Sequence, residues 1–200
     1  EQFGSGGPVE KWRALRDEIH REVLARGYDG KRNTFVQYYD GNALDASLLL
    51  MAEVGFLSPD DPRFRGTVEM VERELMNDGL VLRYRTGETD DGLSGEEGAF
   101  LVCSFWLANA YIMIGRRKDA EALFDHLLSL RNDLGLLAEQ YHPRLRRQLG
   151  NFPQGFSHIG LINTAYNLSR ISGPAQQHAD RGEPPHADGA SWTAAAGVHL

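Results

Sequence analysis

Residues 97–114 read EGAFLVCSFWLANAYIMI, and this stretch decides the fold. Its apolar side chains cover nearly every face of a helix, so it predicts a helix over 97–114 that is buried all round rather than on one side. Two further stretches have the same character, residues 43–54 and residues 153–169. We therefore predict three buried helices.

Three other segments carry a single apolar stripe and alternate along the chain with the buried helices. Their predicted bounds are 9–26, 62–76 and 118–131. The pair Asp61-Pro62 is typical of a helix start, because proline favours the first helical position. These three helices are expected to keep one face in water.

Each class of helix recurs at a nearly constant interval. The amphipathic helices begin near residues 9, 62 and 118, and the buried ones begin near 43, 97 and 153, an interval of 53 to 56 residues. Such a period indicates stacked helical hairpins. A closed double ring explains the two classes better than an open solenoid, which would leave more helices with one wet face. Three hairpins make half of a ring of twelve helices, so we expect an all-α fold.

The chain divides into two parts. Residues 1–172 are expected to form the partial ring, and the composition then shifts to Gly, Pro, Ala and His, which favours a disordered or flexible tail over 173–200. The abrupt start EQFGSGG lacks a methionine, so we expect a piece of a longer chain whose other half of the ring lies upstream.

Charge and composition exclude several partners. The 200 residues carry a net charge of −7, which argues against nucleic acid as a partner. The sequence contains no run of 18 apolar residues, so no membrane-spanning helix is expected. The single cysteine, Cys103, lies in an apolar run, so we expect a buried thiol in a reducing compartment, the cytoplasm. No metal-binding spacing and no nucleotide-binding glycine motif occurs, so neither a metal nor a cofactor is expected. His158 is expected to be a hydrogen-bonded structural histidine.

Candidate site residues lie in the long loops before the buried helices, at 27–42, 77–96 and 132–152, or at the helix starts that follow them, because long loops at one end of a rigid scaffold are typical of a functional face. Alternatives stay open for each carboxylate. Glu139 could be a solvated loop residue, Glu97 could form a capping box with Ser94, and Asp45 could cap a helix together with Asn42. Acidic and aromatic residues on one face suit an uncharged sugar. The candidates are Asp45, Arg83, Tyr84, Glu97, Glu139 and Gln140.

Six stretches of the sequence form a specific combination. They are QYY at 37–39, LDAS at 44–47, VLRY at 81–84, GEEGAFLVCSFW at 95–106, LLAEQY at 136–141 and LGNFPQGFSH at 149–158. Together they resemble glycoside hydrolase family 15, which contains glucoamylases, glucodextranases and bacterial trehalases. The resemblance covers about residues 8–170.

The resemblance implies an (α/α)6 barrel, of which this chain would be the C-terminal half, and inverting hydrolysis of α-glucosidic bonds. It implies that Glu139, in the Ala-Glu-Gln motif, is the general base and that Gln140 flanks it. Arg83 matches an arginine that holds sugar hydroxyls, with Tyr84 beside it. Glu97 lies where bacterial members place an acidic residue on the substrate side.

One part of the family pattern is missing. The general acid of the family lies in a Trp-Glu motif upstream of the first helix, and no Trp-Glu pair occurs in this sequence. We therefore expect a fragment that is inactive alone. The short loops and the Gly-Asn-Phe-Pro-Gln segment resemble the trehalase-like bacterial members of the family, which implies trehalose as the substrate, with an α-1,4-glucan as the main competitor.

A different class of function remains open at this point, namely a helical-repeat interaction module without chemistry. The concentration of Arg83, Glu97 and Glu139 on one loop face argues against it. Half of a closed ring would also expose the apolar faces of its inner helices, which favours self-association of the isolated chain into a homo-oligomer.

Overall fold

The computed structural model describes residues 7–85 and 98–169. Within these two ranges the chain is mostly helical, with five α-helices and one 3₁₀ helix. The bounds are α1 Val9–Arg26, the 3₁₀ helix Ala46–Met51, α2 Pro62–Leu75, α3 Leu101–Met113, α4 Arg117–Ser129 and α5 Gly155–Ser169. The α-helices lie where the apolar patterns place them. The predicted tail, residues 173–200, lies outside the described residues.

Helix α3 occupies the centre of the molecule. All of its side chains except Trp106 are buried, as its all-round apolar sequence predicts. It packs against the 3₁₀ helix, α4 and α5, while α2 packs against the 3₁₀ helix and β2 (Thr34–Phe35). The buried helices therefore neighbour one another, and amphipathic helices flank them.

The contact between α3 and α5 is very close. A Cβ atom added at Gly160 of α5 would lie 2.9 Å from Cδ2 of Phe105 in α3. Glycine is required there because any larger side chain would push the two helices apart. This contact fixes the position of α5, and with it the loop that precedes α5.

Two predicted helices differ in the structure. Residues 43–54 contain a 3₁₀ helix rather than an α-helix, because the Asp45 side chain accepts a hydrogen bond from the Ser47 amide and the Ala46 amide donates to the carbonyl of Arg83. Helix α3 begins at Leu101 rather than at 97, because Ala99–Phe100 form a short strand instead. In both cases pairing with a neighbouring segment competes with helix formation.

The all-α prediction is wrong in one respect, since short strands occur in the long loops and next to them. Within 7–85 and 98–169 they form three antiparallel sheets, β1–β2, β3–β4 and β5–β6–β7. Pairing satisfies backbone groups that the long loops would otherwise leave without partners. The strands are β1 Tyr28–Asp29, β2 Thr34–Phe35, β3 Met76–Asn77, β4 Leu80–Val81, β5 Ala99–Phe100, β6 Gln140–His142 and β7 Arg147–Leu149.

An ion pair joins α2 to the start of α4. The Arg116 guanidinium donates from Nη1 to Oε2 of Glu72 at 2.7 Å and from Nη2 to Oε1 at 3.1 Å. These bonds favour the ionised carboxylate and hold the pKa of Glu72 below its ordinary value. The pair therefore contributes stability above the unfolded pKa of a glutamate, and that contribution is lost as the pH falls.

Two helices expose apolar faces. On α5, which was predicted to be buried all round, Phe156, Ile159 and Ile162 are exposed, Ile162 at 62% of its surface. On α1, no residue is buried, and Trp12 and Ile19 are more than half exposed. None of the helices in 7–85 and 98–169 is both long and apolar enough to cross a lipid bilayer.

Candidate active site

A cavity of about 370 Å³ lies where the β3–β4 and β6–β7 hairpins meet the start of α3. Four of the predicted site residues line it. Arg83 and Tyr84 come from the segment after β4, and Glu139 and Gln140 come from the segment that leads into β6. Residues that are 55 positions or more apart in sequence thus face one space.

The segment that carries Arg83 is held from two sides. The backbone of Arg83 accepts a hydrogen bond from the Ala46 amide at 2.8 Å, and the Leu82 amide donates to the carbonyl of Leu75 at 2.9 Å. The hydroxyl of Ser104 in α3 accepts a bond from the Val81 amide at 2.9 Å. The backbone before the Arg83 side chain is therefore fixed by the buried core.

Asp45 lies behind Arg83 rather than in the cavity wall. Its side chain is buried, and its Oδ2 atom lies 3.8 Å from Nε of Arg83 and 3.4 Å from Nε2 of Gln37. Its Oδ1 atom caps the 3₁₀ helix through Ser47. The capping residue is thus Asp45 itself, and Asn42 is not the cap. Asp45 thus lies within ion-pair distance of Arg83 but makes no hydrogen bond to it.

Glu139 is half-buried, and one oxygen of its carboxylate is held in place. Its Oε2 atom accepts two hydrogen bonds from Asn151, at 3.0 Å from the backbone amide and at 2.9 Å from Nδ2. In the described parts of the chain, no hydrogen bond reaches Oε1. The carboxylate is therefore oriented through one oxygen, and the other oxygen remains available.

The backbone on both sides of Glu139 is also fixed. Its amide donates to the carbonyl of Asn151 at 2.9 Å, and its carbonyl accepts from the Leu101 amide of α3 at 3.0 Å. The preceding residue, Ala138, donates its amide to Oε1 of Gln148 and accepts a bond from the hydroxyl of Ser157. The solvated-loop interpretation of Glu139 does not describe this environment.

His158 takes part in the same anchoring. Its Nδ1 atom lies 2.7 Å from the carbonyl of Gln154, and its Nε2 atom accepts a bond from the Leu137 amide at 3.4 Å. The expectation of a hydrogen-bonded structural histidine is confirmed. It ties the start of α5 to the segment that carries Glu139.

Sequence reasoning missed several residues of this region. Gln148 and Asn151 hold the Glu139 segment, and no periodic pattern marks them, because a loop has none. Further residues line the cavity, namely Asn77, Asp78, His142 and Arg144. Glu97, with its alternative role as a capping partner of Ser94, lies outside the described residues.

Nucleophilic chemistry by the lone cysteine does not fit its position. Cys103 is fully buried in α3, and burial raises the pKa of its thiol far above the ordinary value. The expected buried thiol is confirmed. Within 7–85 and 98–169, no group of three or more metal-binding side chains occurs. The cavity wall combines two carboxylates, two guanidinium groups, an imidazole and two aromatic rings, an arrangement that can bind hydroxyl groups and accept a proton; these groups belong to Asp78, Arg83, Tyr84, Phe100, Glu139, His142 and Arg144.

Comparison with known families identifies close relatives of the sequence. The family model described as "Glycosyl hydrolases family 15" matches residues 1–166. A trehalase from Mycobacterium tuberculosis is 50% identical over 180 residues, which cover 90% of this chain and 26% of that protein. A trehalase from Thermoplasma acidophilum is 43% identical over 167 residues, which cover 83% of this chain and 28% of that protein. The chain thus spans about a quarter of the length of these curated relatives.

Solved structures share the fold. A wild-type glycosidase superimposes with a TM-score of 0.66 at 24% identity, covering 78% of this chain and 43% of that one. A variant glycosidase solved in complex with glucose superimposes with a TM-score of 0.65 at the same identity. The architecture of the chain therefore also occurs within larger proteins.

Proposed function

This chain belongs to glycosyl hydrolase family 15, and on that premise we propose that it is the water-activating part of an inverting α-glucosidase that hydrolyses trehalose. The observation that carries the proposal is that Glu139 and Arg83 line the same cavity. Relatives named trehalase are up to 50% identical over most of the chain, which supports this substrate.

The proposed architecture is half of an (α/α)6 barrel, made by residues 1–172, with residues 173–200 outside it. The alternation of buried and amphipathic helices around α3 supports this arrangement. In it, the 3₁₀ helix, α3 and α5 belong to the inner ring, and α1, α2 and α4 belong to the outer ring. The remaining inner and outer helices come from the rest of a longer protein, which we refer to as the full-length enzyme.

In the proposed mechanism, Glu139 is the general base. Its Oε1 atom takes a proton from a water molecule while the water oxygen bonds to the anomeric carbon of one glucose. The bond from that carbon to the glycosidic oxygen breaks, and a general acid outside this chain protonates the oxygen. The attacked glucose leaves with inverted β configuration, and the other glucose keeps its α configuration. Inverting enzymes place the two carboxyl groups about 6.5–9.5 Å apart to leave room for the water.

The other site residues bind the sugar in this proposal. Arg83 donates hydrogen bonds to hydroxyl groups of the attacked glucose, and Asp45 behind it keeps the guanidinium in place. Tyr84 and Gln140 complete the wall of the cavity. Glu97 contributes a further acceptor from the substrate side, as the family resemblance implies.

The substrate can be tested by comparing trehalose with maltotriose. We expect the full-length enzyme to release glucose from trehalose with a kcat/KM well above that for maltotriose. Preferential cleavage of maltotriose would make the protein an α-glucan hydrolase of the same family. Release of glucose from neither sugar would contradict the proposed activity and favour an interaction module.

The isolated 200-residue chain is expected to self-associate. Its α1 and α5 faces expose Trp12, Ile19, Ile159 and Ile162, and contiguous apolar patches of a few hundred Å² promote association. Sedimentation analysis should therefore detect dimers or larger species. The double change Ile159→Lys and Ile162→Lys should reduce them.

A matched control for this experiment is Leu134→Lys. Leu134 is the most exposed of the large apolar residues in the described ranges, at 76%, but it lies in the loop between α4 and β6 rather than on α1 or α5. Its replacement should leave the association unchanged. A monodisperse monomer with a sharp thermal transition would contradict the half-ring arrangement.

A further inference from the structure

Two donors of one residue converge on a single oxygen of Glu139. The backbone amide and the Nδ2 group of Asn151 both donate to Oε2, at 3.0 and 2.9 Å. The carbonyl of Asn151 in turn accepts the Glu139 amide at 2.9 Å. Asn151 thus makes hydrogen bonds with both the backbone amide and the carboxylate of Glu139.

The backbone beside Asn151 is shaped for this approach. Gly150 has a φ of +77°, and a Cβ atom added there would lie 2.8 Å from Oε2 of Glu139. A side chain at this position would be strained and would displace the carboxylate. The glycine brings the chain close enough for Asn151 to reach Oε2 with both donors.

From this geometry we infer that Asn151 is a positioning residue, which orients the carboxylate of Glu139 for proton transfer. The inference rests on the proposed role of Glu139 as the general base. Because both bonds go to Oε2, they fix the rotation of the carboxylate and leave Oε1 to accept the proton. The neutral amide donates its bond without placing a further charge beside the carboxylate.

Substitutions of Asn151 can separate the contribution of its side-chain hydrogen bond from that of its backbone amide, because each donates to Oε2 on its own. Asn151→Ala removes the Nδ2 bond and keeps the amide bond, so the fold of the 150–154 segment is retained. Asn151→Asp keeps the size of the side chain but places an oxygen about 2.9 Å from Oε2, at the distance now spanned by the hydrogen bond. Two carboxylates this close repel each other unless they share a proton.

The test measures kcat, KM for trehalose and the melting temperature of the full-length enzyme with each change. Asn151→Ala should lower kcat by about 10-fold to 150-fold, the loss expected for one hydrogen bond to a charged group, with KM within a few-fold. Asn151→Asp should lower kcat further although it is closer in shape to asparagine. Both variants should melt near the wild type.

The outcomes distinguish this inference from the proposed function. If Glu139→Gln abolishes turnover but Asn151→Ala leaves kcat unchanged, the positioning role is wrong and the general base stands. If Asn151→Asp restores wild-type kcat while Asn151→Ala melts far lower, the residue is only structural. If Glu139→Gln itself keeps wild-type turnover, the proposed function fails, and the positioning role fails with it.

Discussion

Replacing Glu139 by glutamine in the full-length enzyme is expected to lower the turnover of trehalose about 10²-fold to 10⁴-fold, the usual contribution of a general base. The amide keeps the shape of the side chain and can still meet Asn151, but it cannot take a proton from water. KM should stay within a few-fold, because the sugar is held by other residues. Initial rates measured over a range of trehalose concentrations give both constants.

A matched control for this change is Asp133→Asn, in the loop that leads to Glu139. Asp133 is an exposed acidic residue outside the cavity wall, so its neutralisation should leave turnover unchanged.

Azide offers a second check, since a small anion can take the place of the activated water in the Glu139→Gln variant. With α-glucosyl fluoride it should then form β-glucosyl azide. Wild-type turnover by Glu139→Gln would rule out Glu139 as the base.

The second large effect is expected at Arg83. Arg83→Met keeps much of the aliphatic length of the side chain but removes every donor, so a charge-assisted contact with the sugar hydroxyls is lost. One hydrogen bond to a charged group contributes about 1.5–3 kcal/mol, which corresponds to a fall in kcat/KM of roughly 10-fold to 150-fold. Arg83→Lys should be intermediate, because lysine keeps the charge without the planar set of donors.

Most of the fall at Arg83 should come from a higher KM, unlike the change at Glu139. The change Arg147→Met provides the control, because Arg147 is exposed on β7 and lies outside the cavity wall. It should leave both constants near the wild type. If Arg83→Met and Arg147→Met behave alike, Arg83 does not bind the substrate.

The positions of the helices were predictable because the spacing of apolar residues in the sequence indicates which helix faces are buried. The largely apolar run around Phe105 favours burial on all sides, and the structure buries every side chain of α3 except Trp106. Likewise, Asp61 caps α2 through the Arg63 amide, with Pro62 in the first helical position. Such local signals do not depend on the rest of the fold, so the sequence carries them directly.

The features that sequence reasoning missed depend on contacts between distant segments. The 3₁₀ form of Ala46–Met51 reflects a bond to Arg83, and β5 reflects pairing with Gln140 and Tyr141. Asn151 has no local signal, since only the folded loop brings it to Glu139. The exposed face of α5 has a related cause. Its apolar sequence indicates that this face should be buried, but burial needs a packing partner, and none of the described residues packs over Phe156, Ile159 and Ile162.

If this chain supplies the water-activating side of an inverting hydrolase, the anomers of the first product will reveal inversion. Proton NMR of trehalose hydrolysis by the full-length enzyme, recorded before mutarotation, resolves α-glucose and β-glucose. We expect equal amounts of the two, because water attacks one anomeric carbon with inversion and the other glucose leaves unchanged. Formation of α-glucose alone would mean retention of configuration and would contradict the assignment of Glu139 as general base.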